Sequence, residues 1–340
     1  MAARAGITVA LAVVVGAAVI GAATLTAPHA ATRSPAAASA GLQVVGYAEA
    51  SDTTAAQLNA SRHQLTTVGI DGINLLPGGA GVEDVPAAAS TLLTQTHALG
   101  KKAELLVGNF DSSLGDFSPE LAASLLGSPA NIHSVVGDLA GIVTSQGWDG
   151  ITVDLEALTP DDTAGLSSLL AQLRAALPHS SISIALTATP GAYADLGYDL
   201  HAIDQYANHV VLMAYDQHGP TWSKAGPIGG TPWVKKSLQS LLDVVHASKV
   251  QLGIAGYGYS WPTHGTGRQY SDSAARALAK KSHVTAVWNS TQDEWHATLL
   301  DGTVLWWSSA RTYAQRVSLA KQYKLGGVAV WSLGLSDPLK

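Results

Sequence analysis

The sequence contains no cysteine. This absence excludes disulfide bonds, a thiolate nucleophile and zinc sites built on cysteine, although it does not exclude export. The 12 histidines are scattered along the chain, and none has the His-Glu-x-x-His spacing of a zinc-binding helix. We therefore expect neither a metal site nor any other cofactor.

Charged side chains are also scarce. They make up 13% of the 340 residues, the formal net charge is −6, and no long basic run occurs. A basic patch is the usual electrostatic footprint of a nucleic-acid-binding protein, so no nucleic-acid partner is expected. Hydrophobic residues make up 47% of the chain, which indicates a globular protein with a large core.

The first part of the chain has a long stretch without charge. Arg4 precedes residues 5–32, which contain no Lys, Arg, Asp or Glu, and residues 7–25 are almost entirely aliphatic or glycine. A positive start, an apolar stretch and small residues after it are typical of a signal peptide, and this apolar length also suffices to span a bilayer. We predict a signal peptide or membrane anchor at 1–31 and an Ala/Ser/Pro linker at 32–41. The protein is therefore expected to be secreted or held at the cell envelope.

Beyond the linker, stretches with the period of strands alternate with stretches that have the helical period. The predicted strands are 42–47, 70–76, 103–107, 147–156, 182–186, 210–216, 250–255 and 327–331. The predicted helices are 55–65, 86–98, 129–145, 160–177, 232–248 and 312–323. Eight strands with helices between most of them predict an α/β fold, a (β/α)8 TIM barrel that occupies residues 42–340.

The interval between predicted strands seven and eight is too long for one loop and one helix. We predict a small α+β insertion there, at about residues 258–308. Asp301-Gly302 lies between two apolar runs, 299–300 and 304–307, and this pattern predicts a β-hairpin.

Three of the predicted strands end in polar or aromatic side chains. Strand four ends with Asp154 and Glu156, which share a face because alternate residues of a strand point the same way. Strand six ends with Tyr215 and Asp216, and strand eight ends with Trp331. Active sites of such barrels lie at the C-terminal ends of the strands. Structural alternatives stay open, because carboxylates also cap helices and loops and aromatic rings also fill cores.

Carbohydrate is the substrate class that this mouth favours. All nine tryptophans lie at or after Trp148, and flat amphipathic rings around a mouth are suited to stacking on sugar faces. Asp154 and Glu156 are too close together to flank a sugar ring as two separate catalytic acids do. They indicate one acid with a supporting neighbour that raises its pKa. Glu156 is then the proton donor, and the acetamido oxygen of the substrate is the nucleophile.

These residues resemble glycoside hydrolase family 18, the chitinase-like barrels. The family's strand-four motif, Asp-Gly-x-Asp-x-Asp-x-Glu, is matched at 149–156, except that Thr152 stands at its middle Asp. The family's Met-x-Tyr-Asp motif is matched in full at 213–216, and its last strand ends in tryptophan, as at Trp331. The resemblance spans about residues 42–338. Within the family it is closest to cell-wall and spore-cortex glucosaminidases of the YaaH type.

The resemblance implies a role for each matching residue. Glu156 is the expected general acid and base, and Asp154 is expected to orient the N-acetyl group and share a proton. Tyr215 and Asp216 are expected to stabilise an oxazolinium intermediate. Trp331 is expected to form the floor of the subsite that holds the distorted sugar.

Other residues complete the predicted site. The substrate-binding set adds four side chains to Trp331, namely Met213, Tyr47, Asn109 and Tyr257. Thr152 can hydrogen-bond Asp154, but it cannot accept a proton as a carboxylate does. We therefore expect lowered or differently pH-tuned activity rather than loss of activity.

The resemblance implies a glycoside hydrolase, and the N-terminal segment predicts that it is exported, with possible attachment to a membrane. We expect it to be a monomer. Its expected partner is an N-acetylglucosamine-containing polysaccharide, either chitin-like or peptidoglycan, in which it cleaves β-1,4 linkages by substrate-assisted retaining catalysis. The alternative is a chitinase-like lectin that binds glycans without cleaving them. Glu156 favours the enzyme, because lectins of the family commonly lack that acid, whereas Thr152 keeps the lectin alternative open.

Overall fold

The computed structural model describes residues 41–51 and 53–340. The predicted signal peptide or anchor at 1–31, and the linker up to residue 40, lie outside the described residues. No helix in the part of the chain that the structure describes has both the length and the apolar character of a membrane span.

Eight parallel strands close a barrel, which confirms the predicted fold class. The strands, numbered along the chain, are β1 (Gln43–Glu49), β2 (Thr67–Asn74), β3 (Lys102–Gly108), β4 (Phe110–Asp111), β5 (Asp116–Phe117), β6 (Gly150–Asp154), β7 (Ser181–Thr187), β8 (His209–Met213), β9 (Val250–Ala255), β10 (Tyr257–Trp261), β11 (Gln269–Ser271), β12 (Val287–Asn289), β13 (Glu294–Thr298), β14 (Val304–Trp307) and β15 (Gly327–Trp331). Around the barrel their order is β1-β15-β9-β8-β7-β6-β3-β2.

Helices occupy most of the connections between barrel strands. They are α1 (Ala55–Ser61), α2 (Ala87–Ala98), α3 (Pro119–Leu126), α4 (Pro129–Gln146), α5 (Thr163–Ala176), α6 (Leu200–Tyr206), α7 (Thr231–Leu242), α8 (Asp272–Lys281) and α9 (Ala310–Gln322). The helix before β6 shows why these boundaries form. Its N-cap Ser128 accepts a hydrogen bond from the Asn131 N–H, and Gly147 ends it at φ 80°, a conformation that glycine adopts without strain.

Several predicted boundaries are wrong. Strand four, predicted to run to Glu156, ends at Asp154, so Glu156 lies just beyond the strand. The strand predicted at 210–216 ends at Met213, because the chain leaves the extended conformation before Asp216, whose φ is 57°. The helix predicted at 232–248 ends at Leu242. The structure also contains α3, α6 and α8, which the helical period does not predict.

Alternation along the strands sorts their side chains into two cores. Outward-facing residues such as Ile151 and Val153 pack in the large layer between barrel and helices. Inward-facing residues fill the barrel itself with a smaller cluster: Val45, Tyr47, Leu106, Ala185, Val211, Met213 and Ala329. Polar side chains on the inward face of β6 therefore project into the barrel and towards its mouth.

The predicted insertion between the last two barrel strands forms an antiparallel sheet. Its order is β11-β10-β14-β13-β12, and α8 packs against it. The predicted hairpin is present, because β13 pairs with β14 from Trp295↔Trp307 to Thr298↔Val304. Asp301-Gly302 lies in its turn. The apolar pair at 299–300, however, belongs to the connection rather than to a strand, and Leu300 is 84% exposed.

A buried carboxylate ties this insertion to the barrel. Glu294 accepts hydrogen bonds of 2.7 Å from the backbone N–H groups of both Ile228 and Gly229, in the loop that follows β8. Arg316 of α9 is also buried and donates to the Gly229 carbonyl. Burial raises the pKa of Glu294, and the charge of Arg316 opposes this shift. The insertion thus holds the loop beyond Asp216 in place.

Replacing Glu294 with alanine is expected to lower the free energy of unfolding by roughly 3–5 kcal/mol. The change removes a carboxylate beside the buried Arg316 and leaves two buried N–H groups without an acceptor. Urea denaturation followed by tryptophan fluorescence measures the effect. Asp84→Ala removes an exposed carboxyl group and is the control, expected to stay within about 0.5 kcal/mol. Equal stability of the two variants would contradict this role for Glu294.

Candidate active site

A cleft of about 330 Å³ opens at the C-terminal end of the barrel strands. It is lined by Asp154 and Trp331, which the sequence predicts for the site, by the acids Glu49 and Asp71, and by the aromatic residues Phe110 and Phe117. Cavities of 380 and 440 Å³ lie in the insertion and at the opposite end of the barrel, but neither contacts Asp154 or Trp331. The cleft at the mouth is therefore the candidate active site.

The backbone that presents Glu156 is held by one side chain. The Asn109 amide accepts a hydrogen bond from the Glu156 N–H at 2.9 Å and donates to the Glu156 carbonyl at 3.0 Å. The same amide nitrogen donates to the Ser118 carbonyl at 2.8 Å. Ala157 then takes a φ of 56°, a left-handed conformation that is unfavourable for alanine. Asn109 thus fixes where the chain turns after β6.

Burial controls the charge of the two carboxyl groups at the end of β6. Burial, together with the nearby Asp71 carboxylate, raises the pKa of Asp154 to about 7. Burial also raises the pKa of Glu156 to about 9, with added repulsion from Asp154, Asp216 and Asp116. Glu156 therefore carries a proton at neutral pH, which is the state that a general acid requires.

A second polar cluster follows β8. Asp216 accepts hydrogen bonds from the Tyr257 hydroxyl at 2.7 Å and the Tyr259 hydroxyl at 2.9 Å. Burial raises the pKa of Asp216, and these two hydrogen bonds oppose the shift. Burial and the charges of Asp154 and Glu156 raise the pKa of Tyr215 well above 10, so its hydroxyl stays neutral. The two clusters therefore meet at Tyr215.

Aromatic rings line part of the cleft. The Tyr47 and Trp331 rings are 5.5 Å apart between centroids, and the ring of Phe110, which is 39% exposed, contacts Phe117 edge to face. Gly69 makes room for Tyr47, because a Cβ at this position would lie 2.3 Å from the tyrosine ring. The cleft thus presents flat rings next to carboxyl groups.

The hydroxyl of Thr152 points away from the mouth. It donates to Glu104 Oε2 at 3.1 Å, and Ser183 donates to the same oxygen at 2.7 Å. The hydrogen bond between Thr152 and Asp154 that the sequence suggests is therefore not formed. The Thr152 hydroxyl donates instead to Glu104, a buried acid one layer deeper in the barrel.

The structure brings most of the predicted catalytic residues together. Asp154, Glu156, Tyr215 and Asp216 interact electrostatically within one mouth, and Trp331 lines the same cleft. The other predicted substrate-binding residues, Tyr47, Met213, Asn109 and Tyr257, are buried, and none of them is among the residues that line the cleft. Their direct contact with substrate stays a prediction.

Several residues of the site are not predicted from the sequence. Asp71 and Phe110 line the cleft, Glu104 holds Thr152, and Tyr259 supports Asp216. Asp71 alone has a signal in the sequence, because it is an acid within a predicted strand that is mostly apolar. The others depend on contacts between elements that are distant along the chain.

A barrel with coupled carboxyl groups and flat rings at its C-terminal mouth has the architecture of a glycoside hydrolase. Residues 96–335 match the model of the family described as glycosyl hydrolases family 18. The chain belongs to this family, and it is a glycosidase. The predicted resemblance is therefore confirmed.

Individual proteins are similar over much of the chain. The "Uncharacterized glycosylase YvbX" of Bacillus subtilis is 29% identical over 256 residues, which cover 70% of this chain and 73% of that protein. The cortical fragment-lytic enzyme of Bacillus anthracis is 25% identical over 69% of this chain but 57% of its own length. The crystal structure of a chitinase from Chromobacterium violaceum has a TM-score of 0.77 and 25% identity, and covers 87% of this chain and 95% of that chain.

Glu156→Gln is expected to make stability less dependent on pH. The unfolded chain loses the Glu156 proton near pH 4.5, whereas the folded protein keeps it up to about pH 9. The stability contributed by this proton is complete below pH 4.5 and is lost as the pH rises through that window, by at most about 1.4 kcal/mol per pH unit. Urea denaturation at pH 5 and pH 8 should therefore show a smaller loss of stability for the variant than for the unaltered protein.

Glu120→Gln is the matched control, because it makes the same change at an exposed position in α3. Its loss of stability between the two pH values should equal that of the unaltered protein. An identical pH dependence in Glu156→Gln would show that the Glu156 carboxyl group is ionised in the folded protein at neutral pH.

Proposed function

We propose that this glycosidase is exported and hydrolyses β-1,4 linkages of N-acetylglucosamine in chitin-like or peptidoglycan glycans. The mechanism is retaining, with the acetamido group of the substrate as the nucleophile. The observation that carries the proposal is the coupling of Asp154 and Glu156 at the end of one strand. Burial, reinforced by the charge of Asp154, raises the pKa of Glu156 to about 9 and so keeps it protonated at neutral pH.

In the first step Glu156 protonates the glycosidic oxygen. The bond from that oxygen to C1 breaks, and a bond forms between C1 and the acetamido oxygen of the same sugar. Asp154 accepts a hydrogen bond from the acetamido N–H, which aligns this group and stabilises the positive charge of the oxazolinium ion. The Tyr215 hydroxyl remains neutral in this site and is a donor for the acetamido oxygen.

In the second step the Glu156 carboxylate removes a proton from water. The water oxygen forms a bond to C1, the bond from C1 to the acetamido oxygen breaks, and the N-acetyl group is restored. Two displacements on the same carbon retain its configuration. Glu156 ends the cycle with its proton, which its high pKa favours.

The cleft and the relatives support a polymer of N-acetylated sugars as the substrate. Trp331 and the exposed Phe110 provide flat apolar rings on which pyranose faces can stack. The named relatives include a cortical fragment-lytic enzyme and a chitinase, and their names support the two glycan classes in the proposal.

Mass spectrometry of products tests the substrate assignment. The purified protein is incubated with chitin oligosaccharides and, separately, with peptidoglycan. We expect products that end in a reducing N-acetylglucosamine from at least one of them, and an N-acetylglucosamine thiazoline should inhibit their release. Glu156→Gln should lose at least about a thousandfold in turnover while still binding the glycan, because the acid is removed but the cleft is not.

Three results would contradict the proposal. Bound but uncut glycan with the unaltered protein would indicate a binding protein, and unchanged turnover in Glu156→Gln would exclude Glu156 as the acid. Cleavage next to sugars that lack the acetyl group would exclude the acetamido nucleophile.

Export has its own test. The uncharged stretch at 5–32 is the support for it. Expression of the full chain in a bacterial host should place the protein outside the cytoplasm, and N-terminal sequencing should begin near residue 32 if the segment is cleaved. A variant with Lys in place of both Val13 and Val14 should stay in the cytoplasm, whereas the same two changes at exposed Ala55 and Ala56 should not affect export. Cytoplasmic retention of the unaltered chain would contradict export.

A further inference from the structure

Asp154 is a buried acid of the site, and one of its carboxyl oxygens lacks a hydrogen-bond donor among the described residues. It is 5% exposed, and within the described residues its Oδ1 has no hydrogen-bond partner. The nearest hydroxyl on its own strand, that of Thr152, is committed to Glu104. A buried carboxyl oxygen without a donor is costly, so the proton state of Asp154 must be determined by groups on other strands.

Strand β2 supplies such a group. Asp71 lines the cleft together with Asp154, although β3 lies between their strands. Along β3, Leu106 pairs with both Asp71 and Thr152, whereas Gly108 pairs with Asp154. Leu106 and Gly108 of β3 line the same cleft as the two acids. Asp71 and Asp154 therefore border one cavity, on strands that only β3 separates.

Among the titratable groups that face Asp154, Asp71 is the acidic partner, and it lies two strands away in the barrel. The titratable groups that interact with Asp154 are Tyr47 from β1, Asp71 from β2, Tyr198, Tyr215 and Glu156. Burial keeps the three tyrosines as neutral phenols, and Glu156 holds its own proton at neutral pH. Asp71 is thus the negative charge that acts on Asp154.

We propose that Asp71 is a positioning residue that shares one proton with Asp154 in the resting enzyme, directly or through one water molecule. When substrate binds, Asp154 transfers this proton to Asp71 and, as a carboxylate, accepts the hydrogen bond from the acetamido N–H. Asp71 becomes neutral, so the proton and the charge balance within the pair. In this way β2 supplies the proton acceptor that Thr152 cannot provide.

The catalytic consequence rests on the proposed function, but the shared proton can be measured without turnover. In full-length protein labelled with ¹³C at the aspartate carboxyl carbons, the Asp71 and Asp154 signals should report the same two titration steps, because coupled acids titrate as a pair. Independent single-step titrations of the two signals would overturn the proposal.

Variants give the second readout. Asp71→Asn should move the Asp154 midpoint to lower pH by at least about one unit, because a neighbouring negative charge is removed. The acidic limb of the kcat/KM profile should move in the same direction, and Asp71→Glu should restore both towards the values of the unaltered protein. Glu49→Gln removes the same charge from the same cleft and should leave the Asp154 midpoint in place.

An unchanged Asp154 midpoint in folded Asp71→Asn, or an equal shift in Glu49→Gln, would overturn the pairing. These outcomes are separate from failure of the proposed function. Absence of glycan cleavage by the unaltered protein leaves the two-step titration in place, and independent titrations leave glycan cleavage in place. Circular dichroism of each variant confirms that the titrations are compared between folded proteins.

Discussion

The burial of two neighbouring carboxyl groups at the mouth of the barrel is the constraint on which the rest of the site depends. Burial, with a smaller contribution from the charge of Asp154, raises the pKa of Glu156 to about 9, so this proton is retained at neutral pH. The buried position of Glu156 keeps its carboxyl group protonated, which is the state that a general acid requires. The same burial destabilises the folded protein as the pH rises, which is a cost that catalysis imposes on stability.

The surrounding fold holds this arrangement through contacts at several levels. Asn109 clamps the backbone of Glu156, and Tyr257 and Tyr259 hold Asp216. The residues after both strands adopt left-handed backbone conformations without glycine, at Ala157 and at Asp216. Such strain persists where surrounding contacts determine the geometry, as they do here.

Beneath the mouth, a polar layer inside the barrel changes what the β6 motif can do. Glu104 accepts hydrogen bonds from the hydroxyl groups of Thr152 and Ser183. The threonine therefore stabilises this buried acid instead of the catalytic one. In our proposal the protonation state of Asp154 then depends on Asp71 of β2, two strands away in the barrel. The departure from the family motif at Thr152 and the acid at Asp71 are in this sense two parts of one electrostatic arrangement.

The sequence by itself determined the barrel and the strand ends that carry the catalytic groups, because strand and helix periods are local and because the motif at 149–156 puts Asp154 and Glu156 together at the end of one strand. Only the tertiary structure decided which other groups join them. Asp71 and Glu104 reach β6 through barrel closure and strand register, which place residues far apart in the chain side by side. The end of β8 before Tyr215 likewise depends on loop contacts with the insertion rather than on local preference. Burial and register are collective properties, and no local pattern encodes them.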